Sequence, residues 1–197
     1  MSKKQVMQVM RQFRFEDIEM DSKKATYWLK DNLSRIKPMN QGKILSSSSV
    51  QSPNSVKPGR MYFFSYDPRF KSTMPFYDQF PIVVVLNYEK DGFLGLNLHY
   101  LRFHNRAVFL NYLLEFADSP AWFEDPRAAM LLEYYLIKKS PSMRKFLRAC
   151  IKSYRYGHFL SGVVQVSPAD WKIVPFLPLD RFQKATREEV WKWSGSL

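Results

Sequence analysis

The stretch FPIVVVLNYEKDGFLGLNLHYL, residues 80–101, constrains the fold of this chain more than any other. Two runs rich in β-branched, aliphatic and aromatic residues, PIVVVLNY and FLGLNLHYL, predict strands, and they are separated only by EKDG. Asp91-Gly92 supplies the turn chemistry of a tight hairpin, because glycine accepts the positive φ that other residues resist. The chain is therefore expected to build on an antiparallel hairpin.

Three further segments, RMYFFSY, GVVQVSP and DWKIVPFLP, also predict strands, with His99 in the third of the five. A helical pattern separates the third strand from the fourth. RAVFLNYLLEFA is apolar nearly all round, and Asp125-Pro126 and Ser140-Pro141 each place a capping residue before a proline at a helix start. Thr186 and Glu189 have the spacing of a capping box before a last short helix.

This element order predicts an α+β fold. We expect a small SH3-like β-barrel over residues 59–197, with a helical insertion at about 104–157. The opening of the barrel, GRMYFF followed by a loop and FPIVVVL, is similar to SH3-like barrels, including plasmid-toxin ribonucleases. That similarity concerns architecture and carries no function.

Residues 1–58 are expected to form a basic N-terminal arm and linker. Eleven Lys or Arg stand against five Asp or Glu over residues 1–59, and a Ser, Pro and Asn-rich run closes the segment. Asp21 can cap a helix over SKKATYWLKDNLSRI. The composition of residues 41–58 predicts a mobile linker, because it offers little apolar area to offset ordering entropy.

The charge of the chain points to a polyanionic partner. The formal net charge is +12 and the pI is near 9.8, which favours nucleic acid first. Aromatic residues make up 16% of the sequence, and we expect some of them at contacts with a partner. A single cysteine, Cys150, excludes an internal disulfide and a cysteine-rich zinc site. No apolar run is long enough for a membrane span, and no signal peptide is recognisable.

The densest positive segment is SPSMRKFLRACIKSYRYGH. Helical spacing from Pro141 would place Met143, Leu147, Ile151 and Tyr154 on an apolar stripe with cations opposite. No carboxylate occurs between Glu133 and Asp170. Phosphate contact, an ordinary solvated face and docking to an acidic protein all remain open. The candidate nucleic-acid-binding residues are Lys138, Lys139, Arg144, Lys145, Arg148, Lys152 and Arg155.

A second candidate surface is the loop YDPRFKSTMPFYDQFP, where aromatic and basic residues interleave between prolines. It can be a stiff lid over the core, a protein contact, or a platform on which unpaired bases stack. Its candidate contact residues are Arg69, Phe70, Lys71, Phe76, Tyr77 and Phe80.

Catalytic chemistry finds little support. Phosphate-binding glycine motifs and nucleophile elbows are absent, and His99, His104 and His158 lack metal-ligand spacing. Asp170-x-Lys172 with Asp91 imitates a nuclease centre only weakly. We expect no enzyme, no catalytic residue, no metal and no cofactor.

The order PGRMYFFSYDP, FPIVVVLNYEKDGFLGLNLHYL and WKIVPFLPLDRF resembles small virion proteins of T-even-like tailed bacteriophages, and specifically their DNA end-protector or head-completion class. The resemblance covers roughly residues 59–103 and 169–193. It implies a non-enzymatic structural protein, in the virion and in the host cytoplasm during assembly, that shields or anchors packaged DNA at its end or at the head-tail neck. The implied partners are the DNA backbone, without sequence preference, and virion proteins met by the arm, with no membrane. Alternatives are a neck, tail or baseplate component that contacts only proteins and, third, a barrel ribonuclease.

Overall fold

The computed structural model describes residues 23–27, 31, 50–117, 147–177 and 180–196. Its centre is a six-stranded antiparallel sheet with the strand order β1-β7-β2-β4-β5-β6. A separate two-stranded ribbon pairs β3 with β8. The strands are β1 Val50–Gln51, β2 Met61–Phe63, β3 Tyr77–Asp78, β4 Ile82–Glu89, β5 Gly92–Asn97, β6 Ile151–Arg155, β7 Val163–Val166 and β8 Phe182–Gln183.

The long strand β4 is apolar without interruption because both faces of the sheet are covered. Ile82, Val84 and Leu86 point into the main core, whereas Val83 and Val85 point into a second, aromatic-rich cluster on the other face. The main core is covered by helix α1, Phe103–Ala117, and by the 3-10 helix Pro168–Phe176. The second face is covered by aromatic side chains that include Tyr66, Tyr154 and Phe159.

The predicted combination of helices with an antiparallel sheet is confirmed, but the sheet of the described residues does not close into a barrel. Strands β1 and β6 stand at opposite ends of the strand order, and no pairing among the described residues joins them. A helical layer covers one face of the sheet and an aromatic cluster covers the other. The apolar side chains of the strands are therefore buried without closure of the sheet into a barrel. The fold is a mixed α+β arrangement with an open antiparallel sheet.

The predicted hairpin is confirmed, but the reason given for its glycine is wrong. β4 and β5 pair from Val83↔Asn97 to Glu89↔Gly92, so the turn is Lys90-Asp91 and Gly92 is the first strand residue. Among the described glycines a positive φ, 77°, occurs at Gly59 and not at Gly92. Gly92 is needed for close backbone approach instead. A β-carbon there would lie 1.9 Å from the carbonyl oxygen of Tyr154 on β6.

Two predicted strands have other conformations. DWKIVPFLP forms most of the 3-10 helix Pro168–Phe176, since Pro175 cannot donate to a sheet and the Trp171 indole donates to the carbonyl of Val166 at 3.1 Å. FLGLNLHYL leaves the sheet at Asn97, whose side chain accepts a hydrogen bond from the backbone N–H of His99. His99 therefore lies in the short 3-10 helix Leu98–Tyr100, not in a strand.

Part of the predicted linker belongs to the sheet. Val50–Gln51 pairs with β7, and Val56 is buried with its carbonyl accepting a hydrogen bond from the Tyr88 hydroxyl at 3.1 Å. Residues 23–27 are helical, as the pattern after Asp21 predicts, and Ala25 is buried in the main core. The helix starts expected at Asp125-Pro126 and Ser140-Pro141 lie outside the described residues.

The helix predicted from Asn105 onward is α1, Phe103–Ala117. The last helix, α2, is Arg187–Ser196, and its predicted capping box is confirmed. The Glu189 carboxylate accepts from the Thr186 backbone N–H at 2.7 Å, and the Thr186 hydroxyl faces the Glu189 N–H at 3.3 Å. The Thr186 hydroxyl also donates to the carboxylate at 2.9 Å, and the two hydrogen bonds that Thr186 donates to this carboxylate lower the pKa of Glu189. The capping box starts α2 beside the main core, where Val190 is buried.

Candidate nucleic-acid interface

A cleft of about 350 Å³ lies between the loop after β2 and the edge strand β6; we call it the β6 cleft. Its loop wall and its sheet wall come from segments about eighty residues apart in the chain, and its inner wall is buried. The loop wall is formed by Tyr66, Pro68, Arg69, Phe70, Met74 and Tyr77, the sheet wall by Lys152, Ser153 and Arg155, and the inner wall by Asp78, Asn97, Tyr100 and Tyr154.

The cleft unites residues from both candidate surfaces that the sequence predicted separately. From the aromatic loop it takes Arg69, Phe70 and Tyr77, and from the basic segment it takes Lys152 and Arg155. A spacing pattern could not show this, because the two segments are far apart in the chain. They meet through the pairing of β6 with β5 and through the Tyr66 hydroxyl, which accepts a hydrogen bond from the Arg155 backbone N–H at 3.0 Å. The cleft is therefore a tertiary feature.

The aromatic side chains of the loop divide into two groups. Phe76 and Phe80 pack against the main core, and the Phe76 ring lies edge-on to Trp193 at 5.2 Å between ring centroids. This matches the lid interpretation for these two residues. Phe70 is 56% exposed at the cleft, with the Arg69 guanidinium 5.2 Å from its ring centroid, and Tyr77 is half-buried.

The loop is held by a cation from the far end of the chain. Lys184, which has a positive φ of 69°, donates from Nζ to the backbone carbonyls of Lys71, Ser72 and Met74. Lys71 itself pairs with Asp67 at 2.7 Å, so its charge is partly neutralised. Because three carbonyls converge on one ammonium group, the loop has a defined position over the cleft.

The helix predicted across the basic segment is wrong from Arg148 onward. Arg148–Cys150 is a single 3-10 turn and Ile151–Arg155 is strand β6, whose residues pair with Gly92–Leu96 of β5. The hydrophobic pattern of a short apolar segment is compatible with a helix and with a strand. Such a segment forms a strand where the edge of a sheet is available for pairing. Arg148 does not line the cleft, and Lys138, Lys139, Arg144 and Lys145 lie outside the described residues.

Lys152 is set among aromatic rings. Its Nζ lies 4.3 Å from the ring centroid of Tyr100 and 5.5 Å from that of Trp193. Burial lowers the pKa of Lys152, because desolvation disfavours the charged form. Lys152 and Arg155 form no ion pair with any carboxylate among the described residues, so both can interact with an anion that enters the cleft.

The inner wall rests on a buried polar network that the sequence did not indicate. Asp78 Oδ2 accepts from Asn97 Nδ2 at 3.0 Å and lies 2.7 Å from His99 Nδ1. On the other ring edge, His99 Nε2 is 3.4 Å from Asp180, which pairs with the buried Arg106 at 2.8 Å. The network ties β3, β5, α1 and the C-terminal segment together behind the cleft. Its members are scattered from residue 78 to residue 180, which is why no local motif marks them.

The residues considered for metal or nuclease chemistry lie on separate elements of the fold. Among the described residues no group of three or more His, Cys, Asp or Glu side chains is placed to hold a metal ion. Asp91 lies in the hairpin turn, whereas Asp170 and Lys172 lie in the 3-10 helix Pro168–Phe176. None of the described helices has the length and apolarity to cross a membrane.

Comparison with protein families gives a match that spans nearly the whole chain. The family described as phage T4 terminal DNA protecting protein matches residues 4–193, a range that includes every residue of the β6 cleft. The searches of curated proteins and of solved structures returned no match.

Proposed function

The chain belongs to the phage T4 terminal DNA protecting protein family, and from this premise we propose that it covers the end of the packaged DNA with the positively charged rim of the β6 cleft. The family consists of bacteriophage structural proteins that protect DNA ends, and this chain is accordingly a structural protein and not an enzyme. The family match confirms the resemblance seen in the strand residues. The proposed mechanism is occlusion, in which a bound protein keeps an exonuclease from the terminal phosphodiester.

The observation that carries the proposal is the convergence of three cations on one cleft. Arg69 comes from the loop, and Lys152 and Arg155 come from β6, with none of them in an ion pair with a described carboxylate. Cations that lack local partners favour a polyanion, because phosphate binding releases condensed counterions. Lys71 contributes less, since Asp67 holds its ammonium group.

Contacts of this kind position DNA without selecting a sequence. Arginine and lysine at the rim bind phosphate oxygens, which are the same at every base pair. A protein that protects a terminus needs this tolerance. Lys138, Lys139, Arg144, Lys145 and Arg148 precede β6 in the chain, and we propose that they continue the phosphate contacts beyond the cleft.

The N-terminal residues have a different proposed role. The segment before the sheet is basic, and we propose that it contacts other proteins of the virion near the head-tail neck. A neck, tail or baseplate protein that never touches DNA is the rival, and DNA binding decides between them.

The test combines exonuclease protection with salt-dependent binding of linear duplex DNA. The triple variant Arg69→Gln, Lys152→Gln, Arg155→Gln should shorten the protection and flatten the log-log dependence of affinity on salt by about three units, at about 0.9 per phosphate contact. The matched control changes three exposed lysines outside the cleft, Lys57, Lys90 and Lys172, to glutamine and removes the same charge.

Lys152 is partly buried, so the double variant Arg69→Gln, Arg155→Gln, at two exposed residues, keeps the test independent of folding. It should flatten the slope by about two units. If the cleft variant and the control had equal slopes of log affinity against log salt concentration, the DNA would bind elsewhere on the molecule. Absence of protection by the unaltered protein would support the protein-only rival.

A further inference from the structure

We propose that the β6 cleft binds a single unpaired nucleotide at the DNA terminus, with its base between the aromatic side chains and its phosphate at the rim. This deepens the proposed function and rests on it. The cleft would then distinguish a terminus from the interior of a duplex, where no unpaired base is available.

The size and lining of the cleft are the first evidence for a nucleotide site. A volume of about 350 Å³ is at the lower end of the range of small-ligand sites, roughly 300 to 1,000 Å³, and suits one nucleotide. Its lining is mostly apolar and aromatic, with Phe70, Tyr77 and Tyr100 among its members. Aromatic rings stack on any base, because every base has a π-face.

The distribution of charge sets the orientation of the nucleotide. Arg69 and Arg155 are exposed at the rim, whereas the Asp78 carboxylate is buried at the inner wall. The two arginines attract a phosphate at the rim, and the Asp78 carboxylate repels one from the inner wall. Lys152, whose Nζ lies 4.3 Å from the Tyr100 ring centroid, adds the third cation from the sheet wall. In the proposed orientation the phosphate therefore stays at the rim and the base enters. Asp78 is already engaged with Asn97, with His99 and, at 3.1 Å, with the backbone N–H of Phe80. Because its oxygens already accept these hydrogen bonds, Asp78 offers little discrimination among bases.

Phe70 is the residue best placed to stack. Its side chain is 56% exposed on a loop that Lys184 fastens through three backbone carbonyls. An aromatic side chain held in place before binding loses little conformational freedom when a base packs on it. The adjacent Arg69 guanidinium lies 5.2 Å from the Phe70 ring centroid and can reach the phosphate of the same nucleotide.

The experiment compares linear duplexes that are blunt with duplexes carrying one unpaired nucleotide at the 3′ or the 5′ end. The full chain should bind one overhang form at least about fivefold more tightly, since stacking of one base corresponds to roughly that factor or more. 2-Aminopurine at the unpaired position should change its fluorescence on binding, whereas 2-aminopurine inside the duplex should not.

Two variants assign the effect to the cleft. Phe70→Ala removes an exposed ring, and Ser153→Trp fills the cleft from an exposed strand position; each should abolish the overhang preference while the rim arginines remain. Tyr27→Ala, which removes another exposed aromatic ring outside the cleft, should behave as the unaltered protein does.

Protection of blunt ends without overhang preference or a terminal fluorescence change would overturn this inference and leave the proposed function standing. An overhang preference that survives both cleft variants would also overturn it. Failure of the unaltered protein to bind any DNA end would overturn the proposed function and this inference together.

Discussion

The carbonyl oxygen of Tyr154 lies 1.9 Å from the point that a β-carbon on residue 92 would occupy. Gly92 opens β5 and pairs with Arg155 of β6, so the edge strand reaches its position only because residue 92 has no side chain. β6 carries Lys152 and Arg155 into the cleft. One glycine in the hairpin therefore decides whether the candidate site can form.

Gly92→Ala should destabilise the fold by about 1 to 3 kcal/mol, because the added carbon must displace a strand backbone. Urea unfolding measures the change. Gly157→Ala is the matched control, since no atom lies within 4 Å of a β-carbon there. Equal stability of the two variants would show that β6 does not approach Gly92 as closely as described.

Lys184→Met should loosen the loop over the cleft. The substitution removes the ammonium group that donates hydrogen bonds to the carbonyls of Lys71, Ser72 and Met74. Because Lys184 is exposed, the free energy of unfolding should fall by only about 1 kcal/mol. Hydrogen exchange of the amides of residues 70–74 should accelerate. Lys192→Met, which removes an exposed lysine from α2, should leave their exchange unchanged.

Arg106→Leu should be among the most destabilising single changes. Arg106 is 1% exposed, and its guanidinium donates hydrogen bonds to the carbonyls of Leu98 and Leu101 and to Asp180, all of which the substitution removes. Breaking a buried ion pair in this way typically costs about 3 to 5 kcal/mol. Thermal unfolding compares it with Arg102→Leu, at an exposed residue just before α1. Similar melting temperatures would contradict the buried network.

Cys150 should be inert in the folded protein. Burial raises the pKa of the Cys150 thiol to about 12, so at pH 8 neither exposure nor ionisation favours reaction. A thiol-specific reagent should modify it only at the rate of unfolding, and at once in denaturant.

The same shift predicts a pH dependence of stability. The unfolded thiol ionises near its ordinary pKa of 9.0, while the folded one keeps its proton to about 12. The folded state should therefore lose stability as the pH rises above about 9, and Cys150→Ala should remove that part of the decline. An identical decline in Cys150→Ala would assign it to other groups.

Several elements could be predicted from local sequence because local interactions form them. The hairpin depends on two apolar runs joined by a short turn, and α1 on a long apolar segment. The capping box of α2 needs only Thr186 and Glu189 at the right spacing. The phage-protein resemblance also lay in these strand residues, and the family match confirms it.

Other elements depended on partners far away in the chain. Residues 151–155 have a spacing compatible with a helix, yet they form a strand because β5 offers an unpaired edge and Gly92 allows close approach. The 3-10 helix Pro168–Phe176 is anchored by Trp171, whose indole reaches the carbonyl of Val166. Whether the sheet closed into a barrel depended on which edges meet, and local periodicity carries no information on that.

The sequence by itself determined the positive charge, the antiparallel hairpin and the family of the protein. Only the tertiary structure brought Arg69 and Phe70 to the same cleft as Lys152 and Arg155, and only it assembled Asp78, His99 and Arg106 behind them. The physical reason is the distance along the chain over which each kind of interaction acts. Turn chemistry, capping and hydrophobic period act over a few residues, whereas a binding cleft is formed by strand pairing and burial between segments that the chain keeps far apart.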